Sequence, residues 1–381
     1  APKLLNLPFK LRDKVVAYGA ELQTAGAIGF DDKVVLAPFS GDTDNPLVLR
    51  DHESSIRYLM RSYGLDGEDL RVVADLHPRY SSRRAAERFV ERNGFKLQLI
   101  QHHFSHMASV MAERKHDPEE PAVGVVMDGV GYGLDGAIWG GEIIAWDGGE
   151  FRRLGRLEYH VMPGGDLATK YPLRMLASIM LKIVDEDDVI EFFRKMGFLE
   201  KLRHGLRELE TCLRIVREGR GPKTSSTGRF LDSISALLGI CFERTYEGEP
   251  AISLEENSTE TSKVFDVDDF LAEDGGGVEI LTSEILRTLL DELNNSPKGE
   301  LAYMAQYLLG KALGEAASNL AKRFGVGELY VSGGAAVNHI ILKGLAEGSG
   351  LRILVNREIP ANDGGIAVGQ VYAAGSMGES G

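Results

Sequence analysis

The stretch Ile100-Gln101-His102-His103-Phe104-Ser105-His106 marks the point where a buried strand passes into a helix. Before it, Lys96–Gln101 is predicted as that strand, Ser81–Asn93 as a helix, and Leu70–Asp75 as another short buried strand. After it, the histidine segment opens a helix that we expect to end near Glu113. Strands and helices that alternate in this way indicate a parallel sheet with helices packed on it.

The histidine segment is also the first candidate for chemistry. His102 and His106 are four residues apart, so on a helix their imidazoles project from one face and can hold a metal together. A solvated surface pair is the ordinary alternative for two histidines at this spacing. The decision therefore depends on carboxylates elsewhere in the chain that could complete a metal site.

Flanking segments extend the pattern on both sides. Strands are predicted at Lys14–Gly19 and Lys33–Ala37, and a polar, proline-bounded segment at 115–121 is a candidate lobe boundary. Beyond it, Ala122–Met127 is an apolar strand predicted to deliver Asp128 at its end. A glycine turn at 129–133 and two further strands, Ala137–Trp139 and Glu142–Trp146, are expected next.

The rest of the chain is predicted to be mainly helical over 166–245, with a loop at Glu273–Gly277. The strand Glu328–Val331 ends in Ser332-Gly333-Gly334, and Asn338 is expected in the helix that follows. The last strand, Arg352–Val355, leads to Asp363 and a final helix. Backbone amides at Gly333 and Gly334 could cradle phosphate oxygens, although a tight turn explains the two glycines equally well.

Length and composition describe a globular protein with material for two lobes, predicted as 1–120 and 121–381 with a helical insert around 166–245. The net charge of −14 disfavours a nucleic-acid partner, because binding a phosphate backbone needs a surplus of lysine and arginine. No apolar run approaches the roughly 20 residues needed to cross a bilayer. Two isolated cysteines, Cys212 and Cys241, fit a reducing compartment, and we expect a cytoplasmic protein without a membrane partner.

Asp128 and Asp363 supply the carboxylates that the histidine pair lacks. Each is predicted after a strand and beside glycines, although a helix cap is the ordinary interpretation of Asp363. Two nitrogen and two carboxylate ligands suit a divalent ion such as Fe or Zn with positions open for a ligand. From the residues alone we therefore predict a two-lobed enzyme that binds a metal and a nucleotide and transfers a chemical group.

Ten sequence blocks resemble the C-terminal carbamoyltransferase domain of HypF, a hydrogenase-maturation family related to antibiotic O-carbamoyltransferases and to the tRNA threonylcarbamoyladenosine enzymes. The blocks span nearly the whole chain and are Gly41-Asp42-x-x-Asn45-Pro46, Asp75-Leu76-His77-Pro78, Gln101-His102-His103-x-x-His106, Asp128-Gly129-x-Gly131-Tyr132-Gly133, Trp139-Gly140-Gly141-Glu142, Pro163-Gly164-Gly165-Asp166, Thr224-Ser225-Ser226-x-Gly228-Arg229, Tyr246-Glu247-Gly248, Ser332-Gly333-Gly334 and Asn362-Asp363-Gly364-Gly365.

The resemblance implies an α/β, two-lobed actin/hexokinase-like fold with mixed sheets flanked by helices and a nucleotide in the cleft. It implies that ATP or carbamoyl-adenylate is bound, and that the carbamoyl group passes to the C-terminal cysteine of HypE. An adenylate-forming domain of a longer protein would supply the donor. The implied site residues are the metal ligands His102, His106, Asp128 and Asp363, the phosphate neighbours Gly131, Gly333 and Gly334, and the nucleoside neighbours Asp232, Gly248 and Asn338.

Three further residues are candidates for catalysis within that family chemistry. His103 could act as a base for the acceptor thiol, with a structural hydrogen bond as the alternative. Lys170 and Arg174 could hold an anionic phosphate end, or could be ordinary helix charges. The competing functions are tRNA threonylcarbamoyl transfer and a non-catalytic nucleotide-binding module that docks a partner.

The chain also departs from the family pattern at three positions. Phe104 replaces a histidine, Gln23 a lysine and Gln306 a histidine that relatives commonly carry. None of the three is a proposed metal ligand. The glutamines weaken any role assigned to charge at positions 23 and 306.

Overall fold

The structure is a computed structural model that describes residues 2–65, 70–263 and 266–377. The first part of the chain forms a six-stranded mixed sheet in the order β1-β4-β3-β2-β5-β6. Strands β2, β5 and β6 are parallel, as predicted, while β1 to β4 pair antiparallel. These strands are β1 (Lys3–Asn6), β2 (Lys14–Ala17), β3 (Ala27–Phe30), β4 (Lys33–Leu36), β5 (Leu70–Asp75) and β6 (Lys96–Ile100).

Three helices accompany this sheet: α1 (Pro46–Tyr63), α2 (Ser81–Asn93) and α3 (His102–Glu113). Local sequence signals explain their ends. The Asn45 side chain accepts the N–H of Leu47 at 3.0 Å and so caps the start of α1, and Gly94 ends α2 with φ of 72°. The helices α2 and α3 therefore have the bounds that the sequence predicts.

The second sheet has nine strands, with β12-β13-β9-β8-β7-β14-β15 as its main path and β10 and β11 attached beside β8. Its pairs are antiparallel between β7, β8 and β9 and parallel between β7, β14 and β15. The bounds are β7 (Ala122–Tyr132), β8 (Ile138–Trp146), β9 (Phe151–Leu157), β10 (His160–Val161), β11 (Lys223–Thr224), β12 (Leu271–Asp274), β13 (Gly277–Ile280), β14 (Glu328–Ser332) and β15 (Arg352–Val355).

Two predictions in this sheet are wrong. Strand β7 does not end at Asp128, because it continues to Tyr132 through a register shift between Met127 and Gly131. The two predicted strands on either side of Gly140 are one strand, β8. A Cβ at Gly140 would lie 2.6 Å from the Asp128 carbonyl oxygen, so this glycine permits close backbone approach instead of a turn.

Within the described residues, ten further helices follow β10. Five of them, together with the short strand β11, lie in the segment 166–245, which the sequence predicts to be mainly helical. The predicted loop at Glu273–Gly277 is narrower than expected, because only Gly275 and Gly276 lie between β12 and β13. The helices are α4 (Asp166–Lys170), α5 (Leu173–Met180), α6 (Glu186–Lys195), α7 (Gly205–Arg217), α8 (Thr227–Leu237), α9 (Glu249–Glu256), α10 (Thr282–Glu292), α11 (Lys298–Phe324), α12 (His339–Ser349) and α13 (Ile366–Ser376), with 3₁₀ turns at Phe198–Lys201, Asp268–Phe270, Gly334–Val337 and Asp363–Gly365.

Helices α3 and α13 occupy the space between the two sheets. Helix α3 packs on β7 and β14 of the second sheet, and α13 packs on α3 and on β2, β3 and β4 of the first. A helix from the far end of the sequence thus belongs to the core of the first sheet. The lobe boundary at residue 120 stays a prediction.

Glycines set two unusually close helix crossings. A Cβ at Gly369 of α13 would lie 1.8 Å from the Ser105 carbonyl oxygen of α3. Helices α11 and α12 cross in the same way, and a Cβ on any of four glycines would lie 2.1–2.3 Å from a carbonyl oxygen of the partner helix. These four are Gly310, Gly314, Gly344 and Gly348.

The two cysteines, Cys212 and Cys241, are free and buried. Across the described residues, no helix combines the length and apolar character that a membrane span requires.

Candidate functional site

The structure brings the four predicted metal ligands together. One ligand atom from each of His102, His106, Asp128 and Asp363 lies within 4.8 Å of the other three. The Nε2 atom of His102 is 3.3 Å from Asp128 Oδ2 and 3.5 Å from Asp363 Oδ1, and that of His106 is 3.8 and 3.6 Å from the same oxygens. Neither Nε2 atom has a hydrogen-bond partner among the described residues. Two unpartnered imidazole nitrogens facing two carboxylates fit a divalent cation.

Each ligand is placed by a different feature of the fold. The histidines share one face of α3, and Asp128 lies in β7 where the pairing with β8 shifts register. Asp363 opens a 3₁₀ turn that is capped by the Asn362 side chain, which accepts the N–H of Gly364 at 3.2 Å. The predicted cap at this turn is therefore the neighbouring asparagine, and Asp363 is left to face the histidines.

The far end of α3 holds the loop that carries Asp363. The Glu113 carboxylate accepts three successive backbone N–H groups, from Arg357 and Glu358 on Oε1 at 2.8 and 3.1 Å and from Ile359 on Oε2 at 3.0 Å. Arg114 Nε also donates to the Val355 carbonyl at 3.1 Å. One helix therefore supplies two of the predicted ligands at its start and anchors the loop of a third predicted ligand at its end.

Asp75 orients one of the histidines. Its Oδ2 lies 2.7 Å from His102 Nδ1, and its Oδ1 accepts the N–H of His77 at 2.8 Å. The side chains of Asp75 and His102 are fully buried. Histidines that bind metals usually donate their second N–H to such a carboxylate, which leaves the other nitrogen free for the ion. This role of Asp75 was not predicted from the sequence. The signal is the parallel pairing of β5 and β6, which puts Asp75 opposite Ile100, just before the histidines.

The charges of the cluster depend on one another. Burial acts to lower the pKa of His102, but the carboxylates of Asp363, Asp75 and Asp128 raise it well above its usual value. Burial likewise acts to raise the pKa of Asp128 and Asp363, and the imidazoles lower both. The buried carboxylates thus require positive charge beside them, which either imidazole protons or a divalent cation can provide.

The predicted phosphate glycines have identifiable structural reasons. A Cβ at Gly131 would lie 2.3 Å from His103 Cε1 and 2.9 Å from His102 Cδ2, so this glycine makes room for the two imidazoles. Gly333 has φ of 100° and lies against the Met127 carbonyl, and the Gly334 N–H donates to Asp128 Oδ1 at 3.2 Å. The glycines at 333 and 334 therefore border the cluster, and their contact with phosphates stays a prediction.

The three predicted nucleoside neighbours lie on different helices. Asn338 caps α12 through its Oδ1, which accepts the N–H of Ile341 at 2.9 Å, and its Nδ2 donates to Gln306 Oε1 at 2.6 Å. Its amide is thus used within the fold. Asp232 is buried on α8, 3.0 Å from Arg229 Nε, and burial raises its pKa, while Gly248 starts α9 with φ of 77°. Their nucleoside contacts stay predictions.

Lys170 and Arg174 are paired with carboxylates outside the cluster. The Arg174 guanidinium contacts Glu208 Oε1 through Nε at 2.9 Å, and it also donates to the Pro163 carbonyl. The half-exposed Lys170 lies 3.2 Å from Glu243 Oε1. None of these contacts involves the four predicted metal ligands. The phosphate role of Lys170 and Arg174 therefore stays a prediction.

His103 is fully buried beside the cluster, and its ring centroid lies 5.4 Å from that of His102. Burial, and then the neighbouring His102, lower its pKa well below the usual value. A second residue at the site, Gln23, donates to Glu247 Oε2 at 3.1 Å and accepts from Asn362. Gln23 therefore joins the loop of Asp363 to the Tyr-Glu-Gly block without carrying a charge, and sequence reasoning did not foresee this bridge.

The fold and this site agree with the protein families that the chain matches. Residues 10–113 match the model of the HypF Kae1-like domain, and residues 124–370 match the model described as carbamoyltransferase, Kae1-like domain, second subdomain. The class defined by fold and site is thus a Kae1-like carbamoyltransferase domain. More narrowly, the chain belongs to the HypF carbamoyltransferase family.

Individual relatives give the same result. The chain is 34% identical to a probable carbamoyltransferase HypF of Methanocaldococcus jannaschii, over 98% of this chain and 48% of that protein. It is 30% identical to a carbamoyltransferase HypF homolog of Cupriavidus necator, over 94% of this chain and 91% of that protein.

Two solved structures are also similar. They are T. kodakarensis HypF (TM-score 0.89, 31% identity, 98% of this chain and 49% of that one) and full-length HypF in a phosphate- and nucleotide-bound form (TM-score 0.87, 27% identity, 98% and 48%). Both confirm the two-sheet α/β fold with mixed sheets. The chain spans about half the length of these two HypF chains and of the archaeal relative.

Proposed function

We propose that this chain transfers a carbamoyl group from carbamoyl-adenylate to the C-terminal cysteine of HypE. The observation that carries the proposal is the cluster of His102, His106, Asp128 and Asp363, found in a chain of the HypF carbamoyltransferase family. The adenylate would come from an adenylate-forming domain, which fits a chain that spans half of its longer relatives. Cytoplasmic location follows from these partners and stays part of the proposal.

The reaction needs little covalent chemistry from the protein. The acceptor sulfur attacks the carbamoyl carbon, the bond from that carbon to the adenylate oxygen breaks, and AMP leaves while the thiol proton passes to solvent. A divalent ion held by the four residues would supply Lewis-acid stabilisation of the negative charge on the leaving phosphate. The protein orients the ligands: Asp75 fixes the His102 ring, and Glu113 holds the loop of Asp363.

Nucleotide binding has separate support. A HypF structure that covers 98% of this chain is described as phosphate- and nucleotide-bound. The glycines at 333 and 334 border Asp128, where the phosphate of a nucleotide could approach the same ion. We therefore place the AMP part of the donor between these glycines and the metal cluster.

Mass spectrometry of the acceptor tests the transfer. HypE is incubated with carbamoyl-adenylate and the zinc- or iron-loaded chain, and the intact mass of HypE is then measured. We expect a gain of one carbamoyl group, with the modification on the C-terminal cysteine. An unchanged HypE mass under conditions in which AMP binds the chain would leave the non-catalytic docking module as the better function.

Cluster variants test the role of the ion. We expect His102→Ala with His106→Ala to abolish both metal binding, measured by elemental analysis, and the HypE adduct. The matched control is His204→Ala, because His204 is exposed at the start of α7, and it should retain both. A HypE adduct that survives in the double variant would contradict the proposed role of the metal.

The competing function is threonylcarbamoyl transfer to tRNA. The net charge of −14 disfavours it, and we expect no carbamoylated nucleoside when tRNA replaces HypE in the same assay. Digestion of the tRNA and mass analysis of its nucleosides would reveal the modification if this expectation is wrong.

A further inference from the structure

The Gln101 side chain fixes the hydrogen-bonding state of His103. Its Oε1 accepts two backbone N–H groups at the start of α3, from His103 at 2.7 Å and from Phe104 at 3.1 Å. The other end of the amide is therefore the NH₂ group, which lies 3.1 Å from the Tyr132 carbonyl oxygen and 3.2 Å from His103 Nδ1. An amide NH₂ can only donate, so His103 Nδ1 must be an acceptor.

An imidazole that accepts at Nδ1 carries its proton on Nε2. If both nitrogens of His103 were protonated, its Nδ1–H would face the NH₂ group of Gln101. Two donors that face each other repel. The Nε2–H of His103 is fully buried and has no acceptor within the part of the chain that the structure describes. Buried donors nearly always have a partner, so this N–H is open to an acceptor that the described residues do not supply.

The preceding histidine has the opposite arrangement. His102 Nδ1 lies 2.7 Å from Asp75 Oδ2 and donates to it, so in the neutral, metal-binding form of this imidazole Nε2 keeps a lone pair toward Asp128 and Asp363. Two adjacent histidines are thus held in different tautomers by two different neighbours. His102 offers a lone pair for a cation, and His103 offers a proton for an oxygen atom.

We propose that His103 is a hydrogen-bond donor to an oxygen of the bound acyl phosphate, through Nε2–H, and that Gln101 is the positioning residue that sets this tautomer. This deepens the proposed function and rests on it. The role replaces the predicted one of a base, because Nε2 already carries a proton and Nδ1 is occupied by Gln101. A donor placed before the reaction stabilises an oxygen on which negative charge develops.

The surroundings of His103 favour contact with a ligand. Its ring centroid is 5.4 Å from that of His102 and 6.3 Å from that of His106, so it borders the cluster that would hold the phosphate end of the donor. Gly131 has no side chain at the ring edge, where a Cβ would lie 2.3 Å from Cε1. The acceptor is either the carbamoyl carbonyl oxygen or a phosphoryl oxygen, since both present the same lone pairs.

Nuclear magnetic resonance of ¹⁵N-histidine measures the tautomers directly and needs no enzymatic activity. In the zinc-loaded chain we expect a protonated, pyrrole-type Nε2 and a pyridine-type Nδ1 for His103, and a protonated Nδ1 for His102. Gln101→Glu puts an acceptor at Nδ1, so the His103 proton should move to Nδ1. A His103 that is protonated at Nδ1 in the unaltered chain, or a tautomer unchanged by Gln101→Glu, would overturn the proposal.

Added ligands identify the acceptor oxygen. AMP should shift the Nε2–H resonance of His103 if a phosphoryl oxygen is the acceptor. A non-hydrolysable carbamoyl-adenylate analogue alone should shift it if the carbonyl is the acceptor, and both outcomes support a donor. If neither compound moves the resonance at concentrations that saturate the chain, the donor role is wrong even where HypE carbamoylation is confirmed.

Two variants separate a donor from a base in the transfer assay. His103→Gln keeps an N–H near the position of Nε2, whereas His103→Leu removes it, and neither can act as a base. Loss of one preorganised donor costs about 10²- to 10³-fold in rate. We expect that loss for His103→Leu and a clearly smaller one for His103→Gln, with both variants melting like the unaltered chain. Equal loss in both would favour the base and contradict the proposal.

Discussion

The α11–α12 and α3–α13 helix pairs both cross closely at glycines, but they differ in what lies next to the crossing. In the α11–α12 crossing, two glycines on each helix lie under carbonyl oxygens of the other, so close contact is spread along several turns. In the α3–α13 crossing, Gly369 alone lies under the Ser105 carbonyl. The predicted metal ligands lie at the second crossing, since His102 and His106 are on α3 and Asp363 opens the 3₁₀ turn that leads into α13. We therefore expect a packing defect at the α3–α13 crossing to disturb the candidate metal site, and a packing defect at the α11–α12 crossing to disturb the core alone.

Gly369→Ala should have the largest effect. A Cβ 1.8 Å from the Ser105 oxygen cannot be accommodated, so α13 must move away from α3. Overpacking of this kind costs about 1–3 kcal/mol or more, and we expect the upper end. Because Asp363 moves with α13, zinc affinity should also fall roughly tenfold or more. Urea unfolding and competition with a chelator measure the two effects, and unchanged zinc affinity would show that this crossing does not set the site.

Gly344→Ala is the matched substitution at the other crossing. Its Cβ would lie 2.2 Å from the Tyr307 carbonyl oxygen, so a loss of about 1–3 kcal/mol in the free energy of unfolding is expected here too. Zinc affinity, compared at a temperature where the variant is folded, should stay that of the unaltered chain. If it falls as far as in Gly369→Ala, the distinction between the crossings fails.

Asp75→Asn tests whether the Asp75 carboxylate, in addition to helix packing, orients His102 for metal binding. The amide oxygen can still accept from His102 Nδ1, but the charge that strengthens the imidazole as a ligand is lost. Substitution of such a partner typically lowers metal affinity about 10- to 100-fold. We expect this loss in a zinc titration, while the helix crossing stays intact by near-ultraviolet circular dichroism. If Asp75→Asn binds zinc as tightly as the unaltered chain, helix packing alone orients His102.

The smallest effect is expected for Gly94→Ala. This glycine ends α2 with φ of 72°, and no atom lies within 4 Å of its Cβ position. The cost is then the left-handed backbone alone, about 1 kcal/mol, with no change in zinc binding. A loss of stability as large as that of Gly369→Ala or Gly344→Ala would mean that the steric clash of the added Cβ does not explain the cost of those two substitutions.

The four residues of the candidate metal site were predictable because each carries a local signal. Two histidines four residues apart need only a helix to share a face, and α3 has the expected bounds. Asp128 and Asp363 were marked by adjacent glycines. The path of the backbone at Asp128 was not predictable, because a run of glycines has the same appearance in a turn and in a strand that other groups approach closely. At Gly131 the reason is the imidazoles of α3, which only the folded chain brings there.

The partners of polar side chains were the least predictable part. Arg174 was a candidate for a phosphate contact because it follows the Pro-Gly-Gly-Asp block, but its guanidinium is paired with Glu208 of α7. Asp75 belonged to a recognised block without an assigned role until the pairing of β5 with β6 placed it beside His102. Such contacts depend on which helices and strands become neighbours, and a side chain's own sequence context does not specify them.

The Glu113 carboxylate binds backbone groups that are synthesised long after it. Its three N–H partners belong to residues 357–359, and the last ligand follows at Asp363. During synthesis the N-terminal part of a chain is made first. The histidines of α3 are therefore synthesised before the backbone N–H groups that Glu113 binds and before Asp363. A metal site made of these four residues could therefore be complete only after synthesis has passed residue 363.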